Sequence, residues 1–334
     1  MKFLRYILFP IVPIYYLVTW TRNKLYDLGW KKSKFYAFPV ICVGNLSVGG
    51  TGKTPMIEYL VRLLKSDYKL ATLSRGYKRE SEGFKLASTA DSAKTLGDEP
   101  FQFYNKFGDE ILVAVDANRQ NGIENLRALN NKPDVILLDD AFQHRKVHAG
   151  FNILLTAYGD LYCNDIVLPT GNLREPKKGA KRAHIIVVTK CPINISDKEK
   201  KEIRVKLNSE VGQSVFFSSI SYSKNILSQT KRLDFTQLKG FTLVTGIANP
   251  DPLLQYLKSN NLEFNHLNFK DHHNFSAKEI SDLSQLDNIL TTEKDFMRLK
   301  DEPKLQGKLF YLPIEISVDN PGVFNKEILN FVSS

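Results

Sequence analysis

The chain has 334 residues, of which 43% are hydrophobic and 25% charged, and this composition is typical of a globular protein large enough for two domains. Its three cysteines, Cys42, Cys163 and Cys191, are far apart and form no C-x-x-C pair, so we expect neither a disulfide framework nor a structural zinc site. The net charge of +10 favours an anionic partner, which is a nucleic acid, an acidic membrane surface or a phosphorylated substrate.

The N-terminal segment carries an apolar, aromatic-rich run at residues 6–20 with lysines and arginines on both sides. The run is shorter than the roughly 20 residues that a membrane-spanning helix needs. Tyrosine and tryptophan rings next to cations are typical of a helix that lies in a membrane interface beside anionic lipids. The alternative is a helix packed on the next domain, whereas a signal peptide is disfavoured because no small-x-small cleavage site follows.

A phosphate-binding loop is predicted after an apolar run that begins at Val40 and indicates a buried strand, and before residues 56–64, which have helical spacing. The loop contains Gly-Lys-Thr, and strand, Gly-Lys-Thr loop and helix together form the phosphate site of many nucleotide triphosphatases and kinases. Lys53 would reach the β- and γ-phosphates, and Thr54 would bind Mg²⁺. Ser47 stands where the usual pattern has its first glycine. The residues predicted to bind the nucleotide are Ser47, Val48, Gly49, Gly50, Thr51, Gly52, Lys53 and Thr54.

Polar residues also follow two later strands. Residues 70–77 are predicted to form a strand that ends in a polar turn. Ser74, Arg75 and Tyr77 are site candidates because α/β sheets bind ligands at strand ends; a plain exit into a loop is the alternative. The apolar run before Asp139 and Asp140 has the Walker B pattern, in which the terminal aspartate meets Mg²⁺.

Two loops and one histidine pair carry further candidates. Asp98 lies in an acidic turn that opens a helix, where helix capping is one function open to it. Arg174 lies in a loop followed by lysines, which predicts either an anion clamp or a solvated basic loop. His272 and His273 are adjacent, but zinc is disfavoured because no cysteine or further histidine is nearby; acid–base chemistry or a helix cap fits better.

Taken together, the motifs resemble the tetraacyldisaccharide 4′-kinase (lipid A 4′-kinase) family of Gram-negative bacteria. Ser47 matches the family's own form of the loop, and Ala141 stands where the family often has glycine. The matching blocks are residues 43–55, Ser74-Arg75-Gly76-Tyr77, Gly97-Asp98-Glu99-Pro100, Asp139-Asp140-Ala141-Phe142-Gln143-His144, residues 168–176, Gly246-Ile247-Ala248-Asn249-Pro250, Asp271-His272-His273 and Thr292-Glu293-Lys294-Asp295.

The resemblance implies an ATP-dependent enzyme that transfers the γ-phosphate to the 4′-hydroxyl of tetraacyldisaccharide 1-phosphate to give lipid IVA. It implies Asp98 as the catalytic base with His272, or next His273, as its partner, while Lys53 and Arg174 stabilise the transferred charge. ATP and Mg²⁺ are the expected cofactors, and the expected metal ligands are Thr54, Asp139 and Asp140. The expected substrate-binding residues are Asn45, Ser74, Arg75, Tyr77, Gln143, His144, Arg174 and Glu175.

The predicted fold is α/β: a P-loop NTPase-like, doubly wound parallel sheet, a smaller second α/β domain and an N-terminal membrane-interface helix. The predicted divisions are a membrane-associated region at 1–34, a P-loop kinase domain at 35–217, a linker at 218–239 and a C-terminal domain at 240–334. The expected location is the cytoplasmic face of the inner membrane, with a monomer favoured. No nucleic-acid partner is expected, because the basic residues do not form a stripe interleaved with aromatics. A regulatory P-loop GTPase or ATPase acting on a protein partner is the alternative function.

Overall fold

Two sheets covered by helices make up the chain in the computed structural model, which describes residues 2–238, 240–271 and 273–334. The strands of the described residues are β1 Val40–Asn45, β2 Leu70–Ser74, β3 Lys85–Leu86, β4 Leu112–Val115, β5 Val135–Asp139, β6 Phe151–Ala157, β7 Ile185–Cys191, β8 Ser214–Tyr222, β9 Asn225–Leu227, β10 Arg232–Asp234, β11 Phe241–Thr245, β12 Phe264–Asn268, β13 Ile289–Thr291, β14 Leu309–Tyr311 and β15 Ile314–Val318. The α-helices are α1 Lys2–Ile7, α2 Val12–Asp27, α3 Lys53–Leu64, α4 Ala93–Leu96, α5 Asp98–Phe107, α6 Arg119–Ala128, α7 Asp197–Leu207, α8 Asp251–Ser259, α9 Ala277–Leu283, α10 Glu293–Leu299 and α11 Pro321–Ser333.

The first sheet has the strand order β15-β8-β7-β6-β1-β5-β2-β4-β3 in the described part of the chain. From β8 to β4 every neighbouring pair is parallel, and β15 and β3 add antiparallel edges. The predicted doubly wound parallel sheet is therefore confirmed. Strand β1 lies between β5 and β6. The chain leaves β1 toward β2 on the β5 side and later crosses to β6 on the other side, so the carboxyl end of β1 lies at the switch point where such sheets bind ligands.

Both faces of β1 are buried, which explains its unbroken apolar sequence. Val40 and Cys42 belong to the apolar cluster on one face, and Ile41 and Val43 to the cluster on the other, as the two-residue period of a strand requires. Helix α3 covers the second face with Met56, Ile57, Leu60, Val61 and Leu64.

The second sheet has the strand order β10-β9-β14-β13-β11-β12 within the described residues. Its strands β12, β11, β13 and β14 are parallel, and β9 and β10 are antiparallel. A separate apolar cluster supports it and includes Leu243, Leu257, Leu290 and Phe310. This sheet and its helices form the smaller second α/β domain.

The predicted domain boundaries differ from the structure in two places. The predicted linker, 218–239, contains the end of β8 and strands β9 and β10 of the second sheet. The predicted C-terminal domain extends to residue 334, but β15 pairs with β8 in the first sheet, and Phe324 and Ile328 of α11 are buried in the first domain's core. The chain therefore returns to its first domain, where the apolar side of α11 completes the core. An apolar helix side in the sequence does not indicate which of two domains it will cover.

The predicted N-terminal helix forms as two helices, α1 and α2, joined through a short 3₁₀ turn at Phe9–Ile11 that contains Pro10. Partly buried Val12 and Tyr15 of α2 pack against the first domain. Ile7, Ile14, Leu17 and Val18 are exposed to solvent. No helix among the described residues has the length and apolar character needed to cross a membrane.

Candidate active site

The phosphate loop connects β1 to α3 at the switch point, and its backbone uses conformations that favour glycine. Gly49 has φ +111° and Gly52, which caps α3, has φ +85°. The Asn45 side-chain amide donates to Thr51 Oγ1 at 2.8 Å, and Thr189 Oγ1 donates to the Thr51 carbonyl at 2.8 Å. These bonds fix the loop from both sides, so its N–H groups and the start of α3 are preorganised for an anion.

Asn45, which the resemblance places among substrate-binding residues, is fully buried in the structure. Its side chain supports the loop through Thr51, and its backbone carbonyl accepts from Gln143 Nε2 at 2.8 Å. In the structure the Asn45 side chain thus supports the phosphate loop, and its contact with substrate stays a prediction.

Asp140 is the centre of a charged cluster beside the loop. Lys53 Nζ lies 3.6 Å from Asp140 Oδ1, and Arg174 Nη1 donates to both Asp140 oxygens at 2.9 and 3.0 Å. Burial acts to raise the pKa of Asp140, but the charges of Lys53 and Arg174 outweigh it and hold the pKa below its ordinary value. Three predicted site residues, from α3, the end of β5 and the 168–176 loop, thus meet at one point.

Asp139, one residue earlier, has the opposite electrostatic environment. It is buried at the end of β5, and Ser74 Oγ donates to its Oδ2 at 3.2 Å, while within the described residues its Oδ1 has no hydrogen-bond partner. Burial, followed by the negative charges of Glu99 and Asp140, raises the pKa of Asp139 to about 7. A buried carboxylate oxygen with no donor, next to two further carboxylates, is a place where a cation would be stabilised.

Asp98 is the first residue of α5 and faces the second domain. The N-cap position of α5 belongs to Gly97, at φ +94°, and Asp98 follows it as the first helical residue. The Asp98 carboxylate forms an ion pair with Arg298 of α10, and the adjacent Glu99 pairs with Lys294 at 3.1 Å. The predicted base therefore lies where the two domains meet.

Of the two histidines proposed as partners of Asp98, the structure describes only His273. His272 lies outside the described residues. His273 has its Nε2 3.0 Å from Glu279 Oε1 and its ring stacked on Phe269 at 4.8 Å. The second choice of partner is thus engaged with the start of α9.

Two loops next to the phosphate loop are tied to the N-terminal helix. Glu175 is buried and accepts from Asn23 of α2 at 2.6 Å, from Gln143 at 3.0 Å and from Arg182 at 2.7 Å. The Tyr15 hydroxyl donates to the Arg174 carbonyl at 3.0 Å. Gln143 and Glu175, predicted to bind substrate, therefore connect α2 to the loop that carries Arg174.

The other predicted substrate residues divide between the interior and the surface. His144 Nε2 is buried with no partner among the described residues, and burial and then the charge of Arg119 lower its pKa to about 4. This makes His144 a neutral imidazole at physiological pH. Ser74 is buried against Asp139, whereas Arg75 and Tyr77 are exposed just beyond β2, where a ligand could reach them.

Two charged residues near the site, Lys190 and Lys294, were not among the predicted site residues. Lys190, at the end of β7, has φ +58°, and a Cβ added to Gly50 would lie 3.9 Å from its Nζ. Loss of water around its ammonium and then the positive charge of Lys294 lower the pKa of Lys190. The sequence signal for Lys294 was the matching block at residues 292–295. Nothing in that block indicates that Lys294 pairs with Glu99 of the first domain.

Comparisons with known proteins all point to one family of kinases. A family model described as tetraacyldisaccharide-1-P 4′-kinase matches residues 4–333. A tetraacyldisaccharide 4′-kinase of Flavobacterium johnsoniae is 53% identical and covers 99% of this chain and 98% of its own length. Another, from Bacteroides thetaiotaomicron, is 43% identical, with coverage of 97% and 92%.

A solved structure extends the likeness to three dimensions. The crystal structure of the "apo" form of LpxK from Aquifex aeolicus in complex with ATP has a TM-score of 0.81 and 30% sequence identity, and the match covers 98% of this chain and 99% of that one. The sequence profile, the full-length relatives and the fold all agree, and the chain belongs to the tetraacyldisaccharide-1-P 4′-kinase family.

Proposed function

We propose that this chain phosphorylates the 4′-hydroxyl of a tetraacylated glucosamine disaccharide 1-phosphate with ATP, giving lipid IVA, and that the residues around the phosphate loop carry out the transfer. Membership of the kinase family over residues 4–333 is the observation that carries this function. The convergence of Lys53, Asp140 and Arg174 next to the loop supports it, because phosphoryl transfer depends mainly on positioning and charge neutralisation.

ATP is the proposed phosphoryl donor, bound by the loop between β1 and α3. Loop N–H groups would hold the phosphates, and Lys53 would exchange its contact with Asp140 for the β- and γ-phosphate oxygens. Arg174 would stabilise either the transferred phosphoryl group or the substrate's own phosphate, since its guanidinium can bind two oxygens at once.

Mg²⁺ fits the acidic pair in this site. Asp139 Oδ1 has no hydrogen-bond partner among the described residues, and the pKa of Asp139 is raised. Both observations indicate that a bound cation would stabilise the ionised carboxylate. No group of three or more His, Cys, Asp or Glu residues suited to a metal is found in the described parts of the chain. That agrees with Mg²⁺, which is usually held by one or two carboxylates together with phosphate oxygens and water.

We propose Asp139 and Thr54 as the protein ligands of the ion. Asp140 would contribute less directly because its oxygens already pair with Lys53 and Arg174. When bound, Mg²⁺ neutralises phosphate charge.

Asp98 is the proposed base that accepts the proton of the 4′-hydroxyl, and His272 is the proposed partner that orients it. The position of Asp98 at the junction of the domains supports this role, since a lipid headgroup that enters between them would meet its carboxylate. A positioned base of this kind contributes typically 10²- to 10⁴-fold to a rate.

The N-terminal helices are proposed to hold the enzyme on the cytoplasmic face of the inner membrane, where ATP is available. Exposed Ile7, Ile14, Leu17 and Val18 would enter the headgroup region, and flanking lysines and arginines would attract anionic lipids. The opposite side of α2 contacts the Arg174–Glu175 loop through Tyr15 and Asn23. A substrate in the membrane would thus reach the enzyme next to its phosphate loop.

A transfer assay tests the function directly. The protein is incubated with γ-labelled ATP, Mg²⁺ and purified tetraacyldisaccharide 1-phosphate, and lipids are separated by thin-layer chromatography. A labelled lipid product is expected, and none when the acceptor lacks the 4′-hydroxyl. ATP hydrolysis without a labelled lipid contradicts the proposal, and hydrolysis that depends on a protein partner would favour the regulatory alternative.

A further inference from the structure

An arginine of the second domain holds the proposed base of the first. Arg298 Nη2 donates to Asp98 Oδ2, and Arg298 Nη1 donates to Asp295 Oδ1 at 2.9 Å. The two paired residues 98 and 298 are 200 positions apart in sequence and lie on helices α5 and α10 of different domains. Only 9% of the Arg298 side chain is exposed, so this contact is largely shielded from water.

The carboxylate behind Arg298 is itself fixed. Asp295 is completely buried, and its Oδ2 accepts from the Gly246 N–H at 2.9 Å and from Thr292 Oγ1 at 2.7 Å. A Cβ added to Gly246 would lie 2.9 Å from Asp295 Oδ1, so the backbone after β11 can approach this carboxylate so closely only because residue 246 is glycine. Asp295 is therefore a rigid anchor built into the second domain.

A guanidinium transmits that rigidity because its N–H groups point in fixed directions within one plane. When Nη1 is held by Asp295, the direction of Nη2 is set by the second domain. The Asp98 carboxylate then takes its orientation from that domain, and a small shift of α10 against α5 would disturb it. We propose that Arg298 is a positioning residue that fixes the Asp98 carboxylate and makes its alignment depend on the arrangement of the two domains.

The inference rests on the proposed role of Asp98 as the base. Among the described residues, the titratable groups next to this chain of contacts include Glu99 and Lys294, which pair with each other at 3.1 Å, and His273, which lies beside Gly246. A purely structural ion pair between domains is the competing explanation. It predicts changes in stability alone, whereas a positioning role predicts changes in kcat and in its dependence on pH.

A pair of variants separates the two explanations. Replacing Arg298 alone would leave the Asp295 charge buried without its cation, which is strongly destabilising. The test therefore compares Asp295→Asn with the double variant Asp295→Asn/Arg298→Met, since both lack the buried charge and only the second lacks the guanidinium. Thermal unfolding and binding of a fluorescent ATP analogue show that both proteins are folded.

We expect the double variant to have kcat lower by about 10- to 100-fold than Asp295→Asn, with a similar KM for ATP, because misplacement of a reacting group affects the chemical step. The acidic limb of its kcat profile should also move to higher pH, because a guanidinium next to a carboxylate lowers the pKa of that carboxyl and its removal raises it. Lys300→Met is the matched control, since Lys300 contacts α5 at Asn105 and not at Asp98.

Equal kcat values and superimposable pH profiles for the two Asp295 proteins would overturn the inference. Should the double variant not fold, Arg298→Lys decides, because lysine keeps the charge without the planar fork; wild-type kcat in that protein also contradicts the positioning role. Asp98→Asn is measured in parallel. Near-normal kcat in Asp98→Asn refutes the base itself, whereas a large loss there with no effect at Arg298 refutes only this inference.

Discussion

Adjacent aspartates in this site have opposite protonation tendencies, and their surroundings explain why. Asp140 has two cations within reach and a lowered pKa, whereas Asp139 is buried beside other acids and its pKa is raised to about 7. Carboxylates whose pKa values are separated in this way usually have separate tasks. We assign Asp140 to hold Lys53 and Arg174 in place before the nucleotide arrives, and Asp139 to meet the cation that comes with it.

Lys53 is the first residue whose replacement tests this arrangement. Lys53→Ala should lower turnover by on the order of 10²-fold or more, because a preorganised charge on the transferring group is lost. The control is Lys65→Ala at the other end of α3, where the ammonium pairs with Glu110 away from the loop. Turnover is measured at saturating ATP, and a wild-type value for Lys53→Ala contradicts the assignment of the phosphate loop.

Asp98→Asn separates base chemistry from a structural role at the start of α5. Asparagine keeps an oxygen that can accept from Arg298, and Arg298 keeps its pairing with Asp295. Since Gly97 also occupies the N-cap, thermal stability and ATP binding should stay near wild type. The loss of a base should lower kcat by roughly 10²- to 10⁴-fold. Asp109→Asn, at an exposed site after α5, is the control, and equal kcat values for the two variants would leave the base unidentified.

Elements made from consecutive residues were predictable, and pairings between distant ones were not. The phosphate loop needs a strand, a glycine-rich turn and a helix next to one another, so residues 40–64 contain the whole signal. Arg298 lies 200 residues from Asp98, and no local pattern relates them. The motif blocks contain Asn45 and Glu175, but the burial of these two side chains depends on neighbours such as Thr51 and α2, which motif matching does not reveal.

Helix α2 has an exposed apolar side and a side that contacts the Arg174–Glu175 loop, so deletion of the N-terminus is a poor test of the proposed membrane binding. Removing it would also remove Tyr15 and Asn23 from the Arg174–Glu175 loop. The exposed side can be changed separately: Ile14→Ser/Leu17→Ser/Val18→Ser should move the protein from vesicle pellet to supernatant, because the apolar area that enters the interface is lost.

The matched control for the helix is Val205→Ser/Val211→Ser, which alters two exposed valines outside α1 and α2. Sedimentation with anionic phospholipid vesicles is the measurement. The control should pellet like the wild type. If the α2 triple variant pellets as completely, another surface anchors the enzyme.

The two domains are joined by their chain path and by a buried ionic cluster. The chain crosses to the second sheet after β8 and returns through β15 and α11, so the first domain's core is completed only by the last residues of the chain. At the junction, Lys106 Nζ contacts Glu58 at 2.7 Å and Glu293 of α10 at 3.0 Å. One ammonium thus serves two buried carboxylates from different domains.

Because Lys106 is shared between two carboxylates, we expect the stability of the fold to depend on pH through Glu293. Glu58 also pairs with Arg62 at 3.1 Å and Gln102 at 3.0 Å, so Glu293 has the weaker compensation for its charge. Burial, and then the negative charge of Glu58, raises the pKa of Glu293 to about 7. A carboxyl whose pKa is higher in the folded than in the unfolded chain stabilises the fold below its unfolded pKa of about 4.3, and loses that contribution as the pH rises through about 7.

Glu293→Gln should therefore change how stability varies with pH. The glutamine does not titrate, so the free energy of unfolding of the variant relative to wild type should increase from about pH 4.3 to about pH 7 and then level off. Urea unfolding at a series of pH values measures the difference, and the raised pKa of Asp139 cancels because both proteins contain that residue. Glu315→Gln, at an exposed position of β15, is the matched control. Parallel curves for Glu293→Gln and wild type would show that Glu293 is ionised throughout this range, and that Lys106 fully compensates both carboxylates.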